Sequence, residues 1–97
     1  MDPAKKRKNW IFNDERFIAR RLKDEYIVMN LYSGHYYTLE STGALIFGLV
    51  LDDHPAGEIE RELLRRYPSA PPARVRRDLE HLLKDLCSKE IVRSAAA

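Results

Sequence analysis

Histidine and cysteine are the side chains of this 97-residue chain with the strongest potential for metal ligation or nucleophilic chemistry. His35, His54 and His81 are far apart along the chain and fall in different predicted elements, so their spacing does not predict a metal site. Cys87 is the only cysteine, which excludes an intramolecular disulfide, and its leucine-rich surroundings predict a buried free thiol. We expect no metal and no cofactor.

The remaining polar residues form no catalytic pattern. Catalysis requires groups that converge, such as a nucleophile beside a base or two paired carboxylates, and the sequence shows no such arrangement. Gly34, Gly43, Gly48 and Gly57 do not have the spacing of a phosphate-binding loop. The sequence therefore predicts a binding module without enzymatic activity.

The composition is that of one small soluble domain, with 44% hydrophobic residues, 33% charged residues and a formal net charge of +2. So small a net charge does not favour nucleic acid as a partner. No apolar run approaches the roughly 18 residues of a membrane span, so we expect no membrane partner either. The basic run at residues 5–8 lacks the apolar segment of a signal peptide. We interpret it as a solvated tail of a cytoplasmic protein, with a nuclear signal or a nucleic-acid arm as the alternative.

Backbone groups along a strand edge are the first candidate for binding chemistry. The segment "HYYTL" at residues 35–39 is predicted to form a strand at or near the edge of a sheet, and it contains no proline or lysine that would block pairing. An extended peptide could add to such an edge as a further strand. The alternatives are that a loop or a second copy of the chain covers this edge.

Arginines near the start of the last predicted helix are the second candidate. Arg74, Arg76 and Arg77 lie where the helix dipole disfavours cations by a few tenths of a kcal/mol each, which favours an acidic partner. The alternative is that these arginines are solvated or paired with acids such as Glu80. A polar stripe beside the apolar face of this helix is predicted to form the rim of a groove, and it comprises Arg74, Asp78, His81 and Asp85.

Three strands are predicted to position the first candidate for binding, the strand edge at residues 35–39. Residues 16–22, 25–32 and 35–40 alternate with period two, and short polar breaks at Lys23-Asp24 and Ser33-Gly34 separate them. This order predicts an antiparallel meander. We assign to the core face the alternating sets that end in Leu31 and Leu39.

Three helices are predicted to follow. The first begins after Glu40 with Ser41 as its N-cap, and its many apolar residues place it at the centre of the domain. Pro55 suits the first turn of the second helix, and the third spans residues 72–88. Gly43 and Gly48 in the first helix indicate the close approach of another backbone.

The predicted fold class is α+β, a three-stranded antiparallel sheet followed by three helices on one of its faces. Ile91 and Val92 are expected to return to the core. The predicted domain covers residues 16–93, between a flexible basic tail at residues 1–15 and a short tail at residues 94–97.

Three segments together resemble the PqqD-like family, the peptide-recognition domains of pathways for ribosomally made, post-translationally modified peptides. They are "YIVMNLYSGHYYTLESTGALIFGLV", "GEIERELLRRYP" and "RVRRDLEHLLKDLCSKEIV". The resemblance spans residues 17–92, with two departures: the family often has Asn where Glu40 stands, and it often has Ser or Thr near Pro55.

The resemblance implies a winged helix-turn-helix-like fold without catalytic activity, in which the leader segment of a precursor peptide adds as a strand beside the last helix. Carried onto this chain, it implies a peptide-binding site of eleven residues: His35, Tyr36, Tyr37, Thr38, Leu39, Arg74, Arg77, Asp78, His81, Leu82 and Asp85.

The length is similar to that of the stand-alone recognition proteins of lasso peptide pathways, which work with a separate leader peptidase and a cyclase. The alternatives are a peptide chaperone of pyrroloquinoline quinone synthesis that works with a radical SAM enzyme, and a winged-helix DNA-binding protein. The expected oligomeric state is a monomer or a weak edge-to-edge dimer, and a structural subunit that uses its edge only to dimerise is a further possibility.

Overall fold

The computed structural model describes residues 10–94, and these residues form an α+β domain. A three-stranded antiparallel sheet precedes three helices, which confirms the predicted fold class, and a second, two-stranded sheet joins the ends of the described chain. The elements in chain order are β1 (Trp10–Phe12), β2 (Phe17–Leu22), β3 (Glu25–Asn30), β4 (Tyr36–Glu40), α1 (Ser41–Leu51), α2 (Ala56–Arg66), α3 (Pro72–Ser88) and β5 (Val92–Ser94).

The larger sheet has the order β2-β3-β4, so β4 lies at one edge of it. Residues 31–35 connect β3 to β4, and the hydrogen bond from the Asn30 N–H to the His35 carbonyl closes a turn at residues 31–34, which is longer than the expected two-residue break. The Asn30 side chain accepts hydrogen bonds from the backbone N–H groups of Tyr32 and Ser33, at 2.8 and 3.1 Å. Gly34 closes the turn with a φ of 79°, in the left-handed region that glycine adopts without steric cost.

The predicted core face of β3 is wrong, whereas that of β4 is right. Val28 is fully buried, but Met29 and Leu31 are 40% and 53% exposed. Val28 pairs with Tyr37, so these two side chains share the face that meets the helices. Because the turn contains an even number of residues, odd positions of β3 pair with even positions of β4. Met29 therefore pairs with Tyr36 and lies on the face opposite to that of Tyr37.

Phe47 of α1 lies at the centre of the core and is completely buried. Its ring meets those of Phe12 and Tyr26 edge to face, at centroid distances of 5.7 and 5.2 Å. Gly48 allows this packing, since a Cβ atom there would lie 3.2 Å from the Tyr26 hydroxyl. The close neighbour is therefore a side chain and not the expected backbone. At Gly43, too, the nearest group is a side chain, Leu39.

The caps of the first two helices differ from the prediction. Ser41 is the first residue of α1 and not its N-cap, and it takes a left-handed φ of 53° where the chain turns out of β4. Glu40 occupies the N-cap without a side-chain hydrogen bond, and Pro55 is the N-cap of α2. These are the two positions at which the sequence departs from the PqqD-like pattern.

The two-stranded sheet ties the start of the described chain to its end. Trp10–Phe12 pairs antiparallel with Val92–Ser94, so residues 10–12, expected to belong to a flexible tail, form a strand. Ile91 and Val92 are buried as expected, whereas Cys87 is a free thiol that is only half-buried. The rest of the expected tails, residues 1–9 and 95–97, lies outside the described residues.

Candidate functional site

The edge of β4 carries backbone groups that point away from the sheet. The Asn30 N–H donates to the His35 carbonyl at 2.8 Å, which directs the backbone groups of His35 toward β3. Because these directions alternate along an antiparallel strand, Tyr37 and Leu39 also bond to β3. The N–H and C=O groups of Tyr36 and Thr38 therefore point outward, as does the N–H of Glu40, whose carbonyl begins the hydrogen bonding of α1. We call these outward groups the open edge.

The side chains of β4 divide between the two faces of the sheet. Tyr37 and Leu39 are half-buried on the helix side, as predicted, whereas Tyr36 and Thr38 are exposed on the opposite face. The Lys89 ammonium lies 5.6 Å from the centroid of the Tyr37 ring. This contact brings the C-terminal end of α3 beside β4, and it makes Lys89 a member of the site that the sequence analysis missed.

One side of α3 supplies the second wall. Leu82 packs against the core, and Asp85 accepts a hydrogen bond from Lys89 at 2.7 Å. Arg74 and Asp78 continue the same side toward the helix start, with 3.9 Å between the Arg74 Nε and an Asp78 carboxylate oxygen. The structure thus brings four predicted residues, Arg74, Asp78, Leu82 and Asp85, to the side of α3 that faces the open edge.

A cleft of about 600 Å³ lies between the first turns of α1 and of α3. Its walls come from α1, from the connection between α2 and α3, and from the first turns of α3, and they include Ile46, Val75 and Leu79. The Thr42 hydroxyl lies within 3.4 Å of the Tyr67 hydroxyl across it. The sequence analysis missed these two residues, although "RYP" at the end of the second helix was part of the family pattern.

Of the six predicted residues of α3, Arg74 and Asp78 line this cleft, whereas Leu82 and Asp85 lie farther along the same side of the helix. His81 is exposed at the outer margin of the polar stripe. Arg77 is exposed and pairs with no acid among residues 10–94. It lies two positions from Val75 and from Leu79, which places it on the side of α3 opposite to these two cleft residues.

Arg76 faces α2 instead of the open edge. Its guanidinium donates to both carboxylate oxygens of Glu60, at 3.0 to 3.3 Å, and the hydrogen bonds and charge of Glu60 raise the pKa of Arg76. The residue is therefore not simply solvated, and its hydrogen-bonded partner is Glu60 on α2 and not the expected Glu80. The pair links two helices behind the candidate site.

Replacing Arg76 by alanine should leave peptide binding at the open edge unchanged, because the side chain points to the far side of α3. The loss of its pairing with Glu60 should lower thermal stability slightly, since exposed ion pairs contribute little. A peptide-binding titration and a melting curve followed by circular dichroism would check both expectations. A large loss of peptide affinity with an unchanged melting temperature would contradict them.

The described residues lack two other kinds of feature, a metal-binding cluster and a membrane-spanning helix. Within residues 10–94, no group of three or more His, Cys, Asp or Glu side chains is arranged to hold a metal ion. No helix of the described chain has the length and apolar character needed to span a membrane.

An edge strand with unpaired backbone groups, beside a helix-lined cleft, defines a class of small domains suited to binding by strand addition. The family model of coenzyme PQQ synthesis protein D (PqqD) matches residues 25–92, and the chain belongs to this family. The predicted family is thereby confirmed. No curated protein matches the chain.

One solved structure is similar to nearly the whole chain. It is described as TbiB1 in complex with the TbiA(beta) leader peptide, and it superimposes with a TM-score of 0.78 at 25% sequence identity. The match covers 90% of this chain and 96% of the other. The similarity therefore covers a larger share of the chain than the family model, which matches residues 25–92.

Proposed function

We propose that this protein is a non-catalytic recognition module that binds the leader segment of a ribosomally synthesised precursor peptide. The leader adds to β4 as a fourth strand, and its side chains on the helix side enter the cleft beside α3. The observation that carries the proposal is the open edge, whose outward N–H and C=O groups at Tyr36 and Thr38 match what an added strand requires. The similarity to TbiB1, a protein solved with a leader peptide, supports it.

The chemistry of the cleft supports recognition of a peptide that has both apolar and charged side chains. Ile46, Val75 and Leu79 offer apolar contact area, while Arg74 and Asp78 place charges of both signs at the rim. Arg74 and Asp78 are largely exposed and 3.9 Å apart, so their pairing is weak and either group is available to a peptide. Backbone pairing would supply affinity, and the cleft would select side chains.

The bound leader is presented to a separate processing enzyme in the cytoplasm, where precursor peptides are made. We propose a lasso peptide pathway with a leader peptidase and a cyclase; a radical SAM enzyme of pyrroloquinoline quinone synthesis is the alternative partner. Adding the chain to a purified leader peptidase and its precursor should accelerate cleavage. Acceleration of a radical SAM enzyme instead would assign the alternative pathway.

The test of binding is a polarisation titration with the fluorescein-labelled leader of the precursor encoded beside this protein. We expect a dissociation constant on the order of micromolar or tighter, as a prepared groove gives for a short extended segment. A scrambled leader of the same composition is the matched control and should bind far more weakly. Absence of leader binding, together with retention of a labelled DNA duplex, would overturn the proposal in favour of a winged-helix DNA-binding protein.

A further inference from the structure

Three rows of side chains cross the outer face of the larger sheet, the face that points away from the helices, and each row ends at β4. Cross-strand pairing defines the rows as Ile18, Met29 and Tyr36; Arg20, Ile27 and Thr38; and Leu22, Glu25 and Glu40. A peptide strand added to the open edge would extend each row by one side chain, because same-face side chains of neighbouring strands lie next to each other. The ends of the rows therefore select the outer side chains of the peptide.

The row that ends at Glu40 is acidic. Glu25 and Glu40 lie directly opposite each other, an arrangement of like charges that destabilises a sheet. Among residues 10–94, neither carboxylate takes part in an ion pair. Glu40 is exposed at the edge, and its outward N–H is part of the open edge. A cationic side chain beside Glu40, on an added strand, would offset the repulsion between the two glutamates.

The sheet itself places no cation beside Glu40. Arg20 is the one cation on the outer face of β2, β3 and β4, and its row ends at Thr38. It lies two strands away from Glu40, which separates them by about 10 Å in the hydrogen-bonding direction alone. Exposed charges at such a distance are largely screened, since the Debye length at physiological salt is about 8 Å. The charge of Glu40 is therefore available to a strand beyond β4.

Glu40 also has a structural role, which the charge of the peptide separates from binding. It is the N-cap of α1, where the helix dipole favours a carboxylate, although its side chain forms no capping hydrogen bond. This contribution to stability does not depend on which peptide is bound. A change in peptide charge therefore tests only the binding role.

The row that ends at Tyr36 has a different preference. Tyr36 is 65% exposed, and Met29 lies behind it in the same row, so a peptide side chain beside Tyr36 meets an apolar and aromatic surface. Aromatic and β-branched side chains pair favourably with such a surface. Tyr36 and Glu40 are four positions apart on one face, so the two preferred peptide residues are also four positions apart.

We propose that Glu40 is a specificity-determining residue, which selects leaders that place a lysine or arginine beside it, four positions from an apolar residue beside Tyr36. This inference rests on the proposed function, since it concerns the leader that adds to the open edge. The outer side chains of the leader are read by the ends of these rows, and the side chains on its helix side are read by the cleft.

The test uses the full chain and the fluorescein-labelled leader of the precursor encoded beside this protein. Each lysine or arginine of the leader is replaced by glutamate in turn, and each peptide is titrated against the unsubstituted chain, Glu40→Lys and Glu58→Lys. Glu58→Lys is the matched control, because it makes the same charge reversal at an exposed residue near a helix N-terminus, on α2 and outside the site. Circular dichroism melting verifies that the variants are folded.

We expect one leader position at which glutamate weakens binding to the unsubstituted chain by at least about threefold, and at which Glu40→Lys restores the affinity to within about twofold. Glu58→Lys should restore nothing. The loss should shrink in 1 M NaCl, where the charges are screened. If Glu40→Lys fails to fold, Glu40→Gln, which removes the charge at nearly constant size, should bring the two leaders to within about twofold of each other.

The inference on Glu40 alone would be overturned if the unsubstituted leader binds but no leader position shows this rescue. Equal rescue by Glu58→Lys would reveal a general effect of net charge and would overturn it as well. Failure of the unsubstituted chain to bind the unsubstituted leader would instead overturn the proposed function, and the inference with it.

Discussion

Replacing Thr38 by proline is expected to abolish most leader binding while the domain stays folded. The Thr38 N–H belongs to the open edge and is not used within the sheet, so proline removes a donor that only an added strand would need. The bound peptide would keep an unpaired carbonyl, at a cost of about 1–3 kcal/mol, and the proline ring would crowd the incoming strand. We expect a loss of affinity of roughly 10- to 100-fold in the polarisation titration.

The control is Thr38→Val, which keeps the backbone N–H and a β-branched side chain of nearly the same size. It should bind the leader almost as well as threonine does, because the Thr38 side chain is exposed on the outer face. Full leader affinity in a folded Thr38→Pro variant would contradict strand addition at β4. It would place the peptide elsewhere, for example along α3 alone.

Replacing Phe47 by alanine is expected to destabilise the domain by about 3–5 kcal/mol, the usual cost of truncating a buried phenylalanine. Phe47 is fully buried, and its ring contacts the rings of Phe12 and Tyr26, so its loss loosens α1 from both sheets. Domains of this size have only about 5–15 kcal/mol of stability, so the variant would lose a large share of it. Urea unfolding followed by circular dichroism measures the difference.

Tyr32→Ala is the matched control for this substitution, since it removes an aromatic ring that is 74% exposed. The Arg16 guanidinium lies 5.1 Å from the centroid of the exposed Tyr32 ring in a cation–π arrangement, so we expect a loss of no more than about 1 kcal/mol. A Phe47→Ala variant as stable as Tyr32→Ala would show that the core is not organised around α1.

Local patterns predicted the elements of the site well. The third helix was expected at residues 72–88 and spans Pro72–Ser88, because prolines stop the chain before it and its leucines repeat with helical period. The inward side chains of β4, Tyr37 and Leu39, were also predicted, since period-two alternation is strong there. The side of α3 that faces β4 followed from the same periodicity.

The orientation of β3 shows the limit of such patterns. Both alternating sets of this strand are apolar, so hydrophobicity does not distinguish the face with Val28 from the face with Met29. The pairing parity of the hairpin would have resolved the choice, because it places Val28 opposite Tyr37. Which face of the sheet is exposed emerged only from that register.

No local pattern in the sequence indicates that β1 pairs with β5. Each strand has three residues, and their pairing joins residues as far apart along the chain as Trp10 and Ser94. Such short segments acquire strand structure only from their partner, so no window of the sequence reveals them. The same holds for the left-handed Ser41, whose conformation is imposed by the turn from sheet to helix.

The amino-acid sequence by itself determined the order of three strands and three helices, the family, and the residues that flank the candidate peptide site. These follow from periodicity, turn residues and composition, which act over a few neighbouring positions. Only the tertiary structure decided which backbone groups of β4 are free, how Lys89 reaches Tyr37, and which sheet face remains uncovered. The physical reason is that edges, faces and clefts are properties of pairing and packing between segments that are distant along the chain.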